Sequence, residues 1–473
     1  MEVIKNIRVK HVFRLLIGML VVSLSIKITY DCLKWKDTTG DYLSVYEQLY
    51  NTPDDTIDIA FVGTSHVFCG IYPCQLWADY GMTAFDMSVS GMDKTSTYYA
   101  IKELLKTQSP KVVAVDVYAL LFDEMDVEAN EYRNLLGMKT SKNSVDLVND
   151  YDYIDDETRR EYIFRWPFIH TRYTELTKYD FVQYDPSEFG RGAFYTWSAN
   201  GSEIPDLLAL QNAGVGELSE SNIEWLDSLV ELSYENDFEL VFFVAPALID
   251  TEQQSIINAA ASYASASGIP FFDCNAWREK LHIVDGIDYL DSDHLNAYGA
   301  EKLTKYLGDI ISANYQIEDR RNDVNCSLWN EDLEYYNHLK LASELEQADN
   351  LETVLEKSIS DEDLFTIVSV EGIGAWMNYQ DQLSLFGIYS DDGDMDAKWL
   401  YTEAGFVKIL DYLSDEELVF YLEDDDVVKV MNNGQFSGEN IIFNGENYSN
   451  SGSSVEVFVY DRNLKKIVCN KEF

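Results

Sequence analysis

The chain has 473 residues, with 83 Asp or Glu against 35 Lys or Arg, a formal charge of -48 at neutral pH. That length predicts two or three domains, and 46% apolar residues are enough to fill their cores. So large an acidic excess repels a phosphate backbone, and nucleic acid is not an expected partner.

At the N-terminus, Lys5, Arg8, Lys10 and Arg14 precede the apolar run from Leu15 to Ile26, which ends at Lys27. The run is short against the about 20 residues of a full span, but Arg14 and Lys27 can snorkel and lengthen it. Positive charge ahead of the run predicts that residues 1–11 are cytoplasmic, 12–30 a transmembrane signal anchor, and the remaining body extracytoplasmic. Because Tyr30, Asp31, Cys32, Leu33 and Lys34 offer no small-residue cleavage site, an uncleaved anchor is expected rather than a removed signal peptide.

After a linker at 31–55, short apolar runs alternate with helical patterns, the signature of a parallel sheet covered on both faces. The expected strands are Ile57–Val62, Thr83–Val89, Val112–Leu120, Leu240–Ala245 and Ile269–Asp273. Expected helices include one opened by Pro73 and stopped by Gly81, one over Thr95–Leu105, and a last one from Ala297 to Ile311. Ser221 with Glu224 reads as a capping box ahead of Trp225. The interval of about 122–217 breaks this rhythm and is expected to form a cap inserted in an α/β domain spanning 56–315.

Residues 316–355 read as a helical connector, with apolar positions at helical spacing over Leu333–Leu355. Residues 356–473 form an expected β-rich module, with strands Leu364–Val370, Leu418–Leu422, Val427–Met431, Val455–Tyr460 and Lys466–Cys469. Asp461, Arg462 and Asn463 suit the turn of a closing hairpin. The run Asp391-Asp-Gly-Asp394-Met-Asp396 lacks the glycine placement and terminal Glu of a calcium loop, so a solvated acidic loop is expected there.

The six cysteines are scattered without a CxxC pair, and most read as small buried apolar residues; only a Cys69–Cys74 bridge is sterically open to an oxidising compartment. The six histidines show no HxH or HExxH spacing, so neither metal nor another cofactor is expected.

The chemistry is concentrated in two segments. In the first, Asp58-Ile-Ala-Phe-Val-Gly63-Thr64-Ser65-His66, an apolar strand stops at a glycine and presents a serine on the turn, where a nucleophile clears the sheet edge. In the second, Tyr289-Leu-Asp291-Ser-Asp293-His294-Leu-Asn296, three-residue spacing puts Asp291 and His294 on one face of a turn. The carboxylate can then orient the imidazole toward Ser65. Both segments follow strand C-terminal ends, the edge at which parallel sheets bind ligands.

On these residues the chain resembles the SGNH/GDSL hydrolase superfamily over about Asp54 to Asn314. The resemblance implies a three-layer α/β/α, flavodoxin-like domain with a five-stranded parallel sheet. It also implies catalytic roles for Ser65, Asp291 and His294, and an oxyanion hole built from the N–H groups of Ser65 and Gly91, the glycine after strand two. The family's GxND asparagine has no match near Val113-Ala-Val-Asp116-Val-Tyr118, so one oxyanion donor is absent or supplied differently. His66 is expected to shape the site or contact substrate. His170 and Arg172, two apart in Phe168-Ile-His170-Thr-Arg172, are candidates to point into the cleft from a strand.

With its anchor, the chain also resembles the membrane-tethered envelope branch of that superfamily, typified by teichoic-acid D-alanylation and polysaccharide O-acetylation proteins. Its C-terminal strands resemble the interleukin-like EMT inducer domain, a lectin-like β-sandwich, which implies glycan or protein binding. The expected activity is serine-dependent ester hydrolysis or O-acyl transfer, with acetyl the expected group, on a cell-surface polysaccharide or teichoic-acid-like polymer. A multi-spanning membrane acyltransferase is the expected partner. The competing expectation is a non-catalytic scaffold that serves such an acyltransferase.

Overall fold

The computed structural model describes residues 2–34, 43–122, 135, 137–151, 154–166, 170–176, 190–200, 206–390, 396–411, 416–431, 440–449 and 454–473. The chain divides into two compact units, Met1–Leu333 and Glu334–Phe473.

In the first unit, runs of β-branched and aromatic residues form strands β1 (Ile59–Gly63), β2 (Ala84–Ser88), β3 (Val112–Asp116), β4 (Glu239–Val244) and β5 (Phe271–Asp273). They make one parallel sheet of order β2-β1-β3-β4-β5. Alternation of side chains splits the burial between two layers. Ala60, Val62, Val113, Val115 and Phe242 pack with Ala100, Leu226, Leu229 and Ile257 from the helices Lys94–Leu104, Glu220–Asn236 and Thr251–Ser267. Ile59, Phe61, Ala114, Val241 and Phe243 pack with Leu76, Leu303 and Leu307 from Pro73–Tyr80 and Ala297–Asn314 on the other face. The result is a three-layer α/β/α arrangement whose strand order reverses between β1 and β3.

Local capping differs from the sequence expectation at one helix. Ser219, not Ser221, caps Glu220–Asn236, its hydroxyl accepting the Asn222 N–H at 3.2 Å. The expected long third strand stops at Asp116, whose carboxylate takes the Tyr118 N–H at 3.1 Å and starts a 3-10 turn over Val117–Leu121. In the cap interval, the described residues hold helices Lys142–Asp150, Asp156–Phe164 and Leu207–Gln211. All six cysteines are free, so the Cys69–Cys74 bridge does not form; Cys74 Sγ instead takes the Tyr195 hydroxyl at 3.4 Å.

The N-terminal helix Glu2–Leu33 contains a stretch, His11–Leu33, long and apolar enough to cross a membrane, exposed through its apolar middle and buried only at Leu33.

The second unit is antiparallel. Strands β6 (Leu364–Glu371), β7 (Asp396–Thr402), β8 (Gly405–Leu410), β13 (Val455–Asp461) and β14 (Lys466–Glu472) form a sheet of order β14-β13-β6-β7-β8. Strands β9 (Glu417–Tyr421), β10 (Val427–Met431), β11 (Ile441–Phe443) and β12 (Glu446–Asn447) form a second sheet. One face of the larger sheet packs on helices Leu351–Ser358 and Gly372–Leu385, and the other meets Val428, Val430 and Ile441 of the smaller sheet. The single helix expected over Leu333–Leu355 is broken, because Asn350 caps a new one by accepting the Thr353 N–H at 2.9 Å. The acidic run at 391–395 lies outside the described residues, and Asp396 begins β7.

The turn after β1 leaves no room for a side chain at Gly63, where an added Cβ would stand 2.8 Å from both Asp116 Cβ and Val67 Cγ2. Gly63→Ala is therefore expected to destabilise the fold by about 1–3 kcal/mol, read as a lowered midpoint in denaturant. An unchanged midpoint would contradict this packing.

Candidate active site

Ser65 opens the short helix Ser65–Gly70 directly beyond β1, and Thr64 caps that helix. The second segment reaches it through a tight turn: the Leu290 N–H donates to the His294 carbonyl at 2.8 Å, and Tyr289 bridges Leu295. Within that turn, Asp291 Oδ1 accepts the backbone N–H groups of Asp293 and His294, both at 2.8 Å. This loop is fastened from below by buried Arg278, which donates to Tyr289 Oη at 2.5 Å and the Ala247 carbonyl at 2.9 Å. Asn296 fastens it from the far side, donating to the Ile287 carbonyl at 2.7 Å while capping the helix Ala297–Asn314.

The outcome is a continuous chain of side chains. Ser65 Oγ lies 2.8 Å from His294 Nε2, and His294 Nδ1 lies 3.1 Å from both Asp291 carboxylate oxygens. With the Nδ1 proton facing the carboxylate, Nε2 is left to accept the Ser65 hydroxyl proton. Partial burial pushes the Asp291 carboxyl up, but the two backbone N–H groups and the imidazole outweigh it and hold the group below its ordinary range. It is therefore anionic at neutral pH, the form that can orient an imidazole.

His66 lies beneath His294 rather than open to solvent. Its ring stacks on that of His294 with centroids 4.9 Å apart, and its centroid lies 4.0 Å from that of the tilted Tyr118 ring. Thr64 Oγ1 is 2.9 Å from His66 Nδ1, and Asp293 Oδ2 is 3.3 Å from Nε2, a close electrostatic approach without hydrogen-bond alignment. Burial lowers the His66 pKa, with Asp293 opposing, so the ring is neutral and does not repel a charged His294. Asp293 was not singled out as a site residue by sequence reasoning. It takes the Leu248 N–H at 2.8 Å; burial pushes its carboxyl up, but His66, that N–H and His294 together bring it below the ordinary value.

Gly91 follows β2 on the same sheet edge as Ser65: β1 and β2 pair in register, Gly63 against Ser88, and the Val89 N–H continues the ladder to the Gly63 carbonyl at 3.3 Å. Its φ of 66° is the left-handed conformation that glycine adopts without strain. Among the described residues, the N–H groups of Ser65 and Gly91 have no hydrogen-bond partner. His170 and Arg172 are placed differently from the sequence expectation. They stand on a turn and a 3-10 helix, not a strand, and Arg172 is buried, donating to the Leu33 and Lys34 carbonyls at 2.9 and 2.6 Å. Its guanidinium thus neutralises the negative end of the N-terminal helix dipole.

A cap strand-like segment missed from sequence borders the site instead. Phe194 donates to the Phe68 carbonyl, Ala297 to that of Thr196, and Asn200 to that of Tyr289, at 2.7–3.2 Å. His66, Asp293 and His294 also bring three metal-competent atoms within 4.8 Å of one another. Both His294 nitrogens already serve Ser65 and Asp291, so coordination there would break the chain just described.

No family model matches the chain, and no curated protein matches it. Among solved structures, it is similar to a family two carbohydrate esterase from Clostridium thermocellum in complex with cellohexaose, at 11% identity and a TM-score of 0.27 over 55% of this chain and 65% of that one. An active-site mutant of a family two carbohydrate esterase from the same organism gives 10% identity and a TM-score of 0.27, again covering 65% of that chain and 56% of this one. A Bacteroides fragilis protein described as an acylhydrolase gives 11% and 0.29, covering 59% of this chain and 99% of that one. The chain thus spans less than two thirds of the esterases' length, and likenesses this distant assign it no activity.

Asp116 stands at the end of β3, where its buried carboxylate caps the 3-10 turn that follows. Burial pushes its carboxyl up to about 7, against the opposing pull of the Tyr118 and Ala245 N–H groups. Because the folded pKa lies above the unfolded value of about 3.9, Asp116 favours the fold below about pH 4 and progressively loses that contribution as pH rises to about 7. Asp116→Asn, permanently neutral, should gain on the order of 2–4 kcal/mol relative to the parent chain between pH 4 and pH 8. Urea melts at both pH values check this; a pH-independent difference would contradict it.

Proposed function

We propose that this protein is a membrane-anchored, extracytoplasmic serine enzyme that hydrolyses or transfers an O-acyl group, acetyl in the first instance, on a cell-envelope glycan. The observation that carries the reading is the 2.8 Å approach of Ser65 Oγ to a His294 ring whose other nitrogen is held by Asp291.

Ser65 Oγ attacks the ester carbonyl carbon while His294 Nε2 takes the hydroxyl proton, and Asp291 stabilises the imidazolium formed. Negative charge gathers on the carbonyl oxygen, where the unpartnered N–H groups of Ser65 and Gly91 can receive it. Collapse expels the sugar alkoxide, protonated by His294, and leaves an acyl-serine. Water or a second hydroxyl, deprotonated by the same imidazole, then takes the acyl group. His66 acts by packing: its buried neutral ring fixes the plane of His294. The segment Val113–Tyr118 offers no asparagine as a third donor, and since one such donor is worth about 10²- to 10³-fold in rate, slow turnover on simple esters is expected.

The membrane and glycan assignments rest on the apolar helix and on the chain's resemblance to envelope O-acetylation and D-alanylation proteins. Basic residues ahead of His11–Leu33 favour the cytoplasm for the short N-terminal segment and the outside for both units. A multi-spanning acyltransferase that delivers acyl groups across the membrane fits Ser65 as the relay serine, and the β-rich unit fits polymer binding.

Purified chain is expected to release nitrophenol from p-nitrophenyl acetate. Ser65→Ala and His294→Ala should each lower the rate at least about 10³-fold, and Asp291→Asn by about 10²- to 10⁴-fold, with unchanged far-UV circular dichroism. Undiminished turnover in Ser65→Ala would overturn the reading and favour a scaffold role.

A further inference from the structure

We propose that the second unit carries a divalent metal site of the zinc type, formed by Glu334, His338 and Asp363 and independent of the Ser65 site. The three side chains bring one donor atom each within 4.8 Å of one another. Glu334 and His338 are one turn apart on the helix Ser327–Gln347, so both project from the same face. Asp363 precedes β6 and supplies the third donor from a separate segment.

The histidine gives the cluster its direction. The His338 side chain is only 4% exposed, and its Nδ1 lies 2.8 Å from Oδ2 of Asp461, which is fully buried at the end of β13. The other Asp461 oxygen is already filled by the Asn463 and Leu464 N–H groups, both at 2.9 Å. Asp461 therefore holds the proton on Nδ1 and aims the Nε2 lone pair outward at Asp363. A buried carboxylate behind a histidine is the arrangement that orients metal-binding imidazoles. Nε2 makes no hydrogen bond among the described residues; its nearest charged atom is Asp363 Oδ2 at 3.7 Å, too long for one.

That separation is close to what a shared ion requires. Metal–nitrogen and metal–oxygen bonds of about 2.1 Å set tetrahedral ligands about 3.4 Å apart, so only side-chain adjustment is needed. Asp363 is 41% exposed and Glu334 is exposed, which gives an ion access and leaves a fourth position to solvent. Asn463 Nδ2 occupies Glu334 Oε1 at 3.2 Å and leaves its second oxygen to bind. One imidazole with two carboxylates favours zinc over calcium or magnesium, which select oxygen donors throughout. A bound ion would tie the helix to the start of β6, and through Asp461 to the β13–β14 turn.

The test uses the full chain in detergent, stripped with a chelator and titrated with zinc chloride by calorimetry, with calcium chloride as comparison. Zinc should bind and raise the unfolding temperature, and calcium should do neither. Asp363→Asn and Glu334→Gln, both at exposed side chains, should each weaken zinc binding at least about tenfold while the zinc-free unfolding temperature stays as in the parent. Zinc binding that is absent, that is equal in both variants and parent, or that is lost in His66→Asn instead would overturn the proposal.

Discussion

One imidazole has to satisfy two partners from distant parts of the chain: His294 meets Ser65, 229 residues away, with one nitrogen and Asp291, three residues away, with the other. Much of the first unit serves that constraint. The parallel sheet delivers Ser65 at the C-terminal end of β1, beside the reversal of strand order, and Gly63 lets β3 pass close enough to place Asp116 beneath the turn. Arg278 and Asn296 hold the loop that carries Asp291 and His294, and His66 supports the ring from below. Asp58, at the start of β1, is clamped by Arg320 through a bidentate pair at 2.7 and 2.9 Å, which secures the strand from its other end.

The α/β architecture was legible because buried parallel strands read as unbroken apolar runs, and Gly63, Pro73 and Gly81 mark where elements stop or start. What was not legible follows from contacts distant in sequence. Ser219 rather than Ser221 caps its helix because capping depends on backbone geometry, which similar neighbouring side chains do not distinguish. Strands β7 and β8 lack strict alternation, since only part of their surface is covered, and pairing determines them, β7 on β6 and β8 on β7.

At the site, Asp291 and His294 were visible because their relation is local, a three-residue turn, and Ser65 because a glycine-ended strand exposes it. Asp293 was not, since its partners His66 and Leu248 lie far away in the chain. His170 and Arg172 misled for the same reason: two-residue spacing suggests a shared strand face, but Arg172 is drawn to the carbonyls that end the N-terminal helix. The Glu334–His338–Asp363 cluster escaped the usual histidine spacings because two of its supports, Asp363 and Asp461, come from the ends of separate strands.

The central claim is that Ser65 becomes acylated by way of His294. Brief exposure of the purified chain to p-nitrophenyl acetate, acid quenching and peptide mass mapping tests it directly. One acetyl group on Ser65, absent in His294→Ala, is the predicted result. Acetylation confined to other residues, or an adduct on Ser65 that forms equally fast without His294, would contradict it.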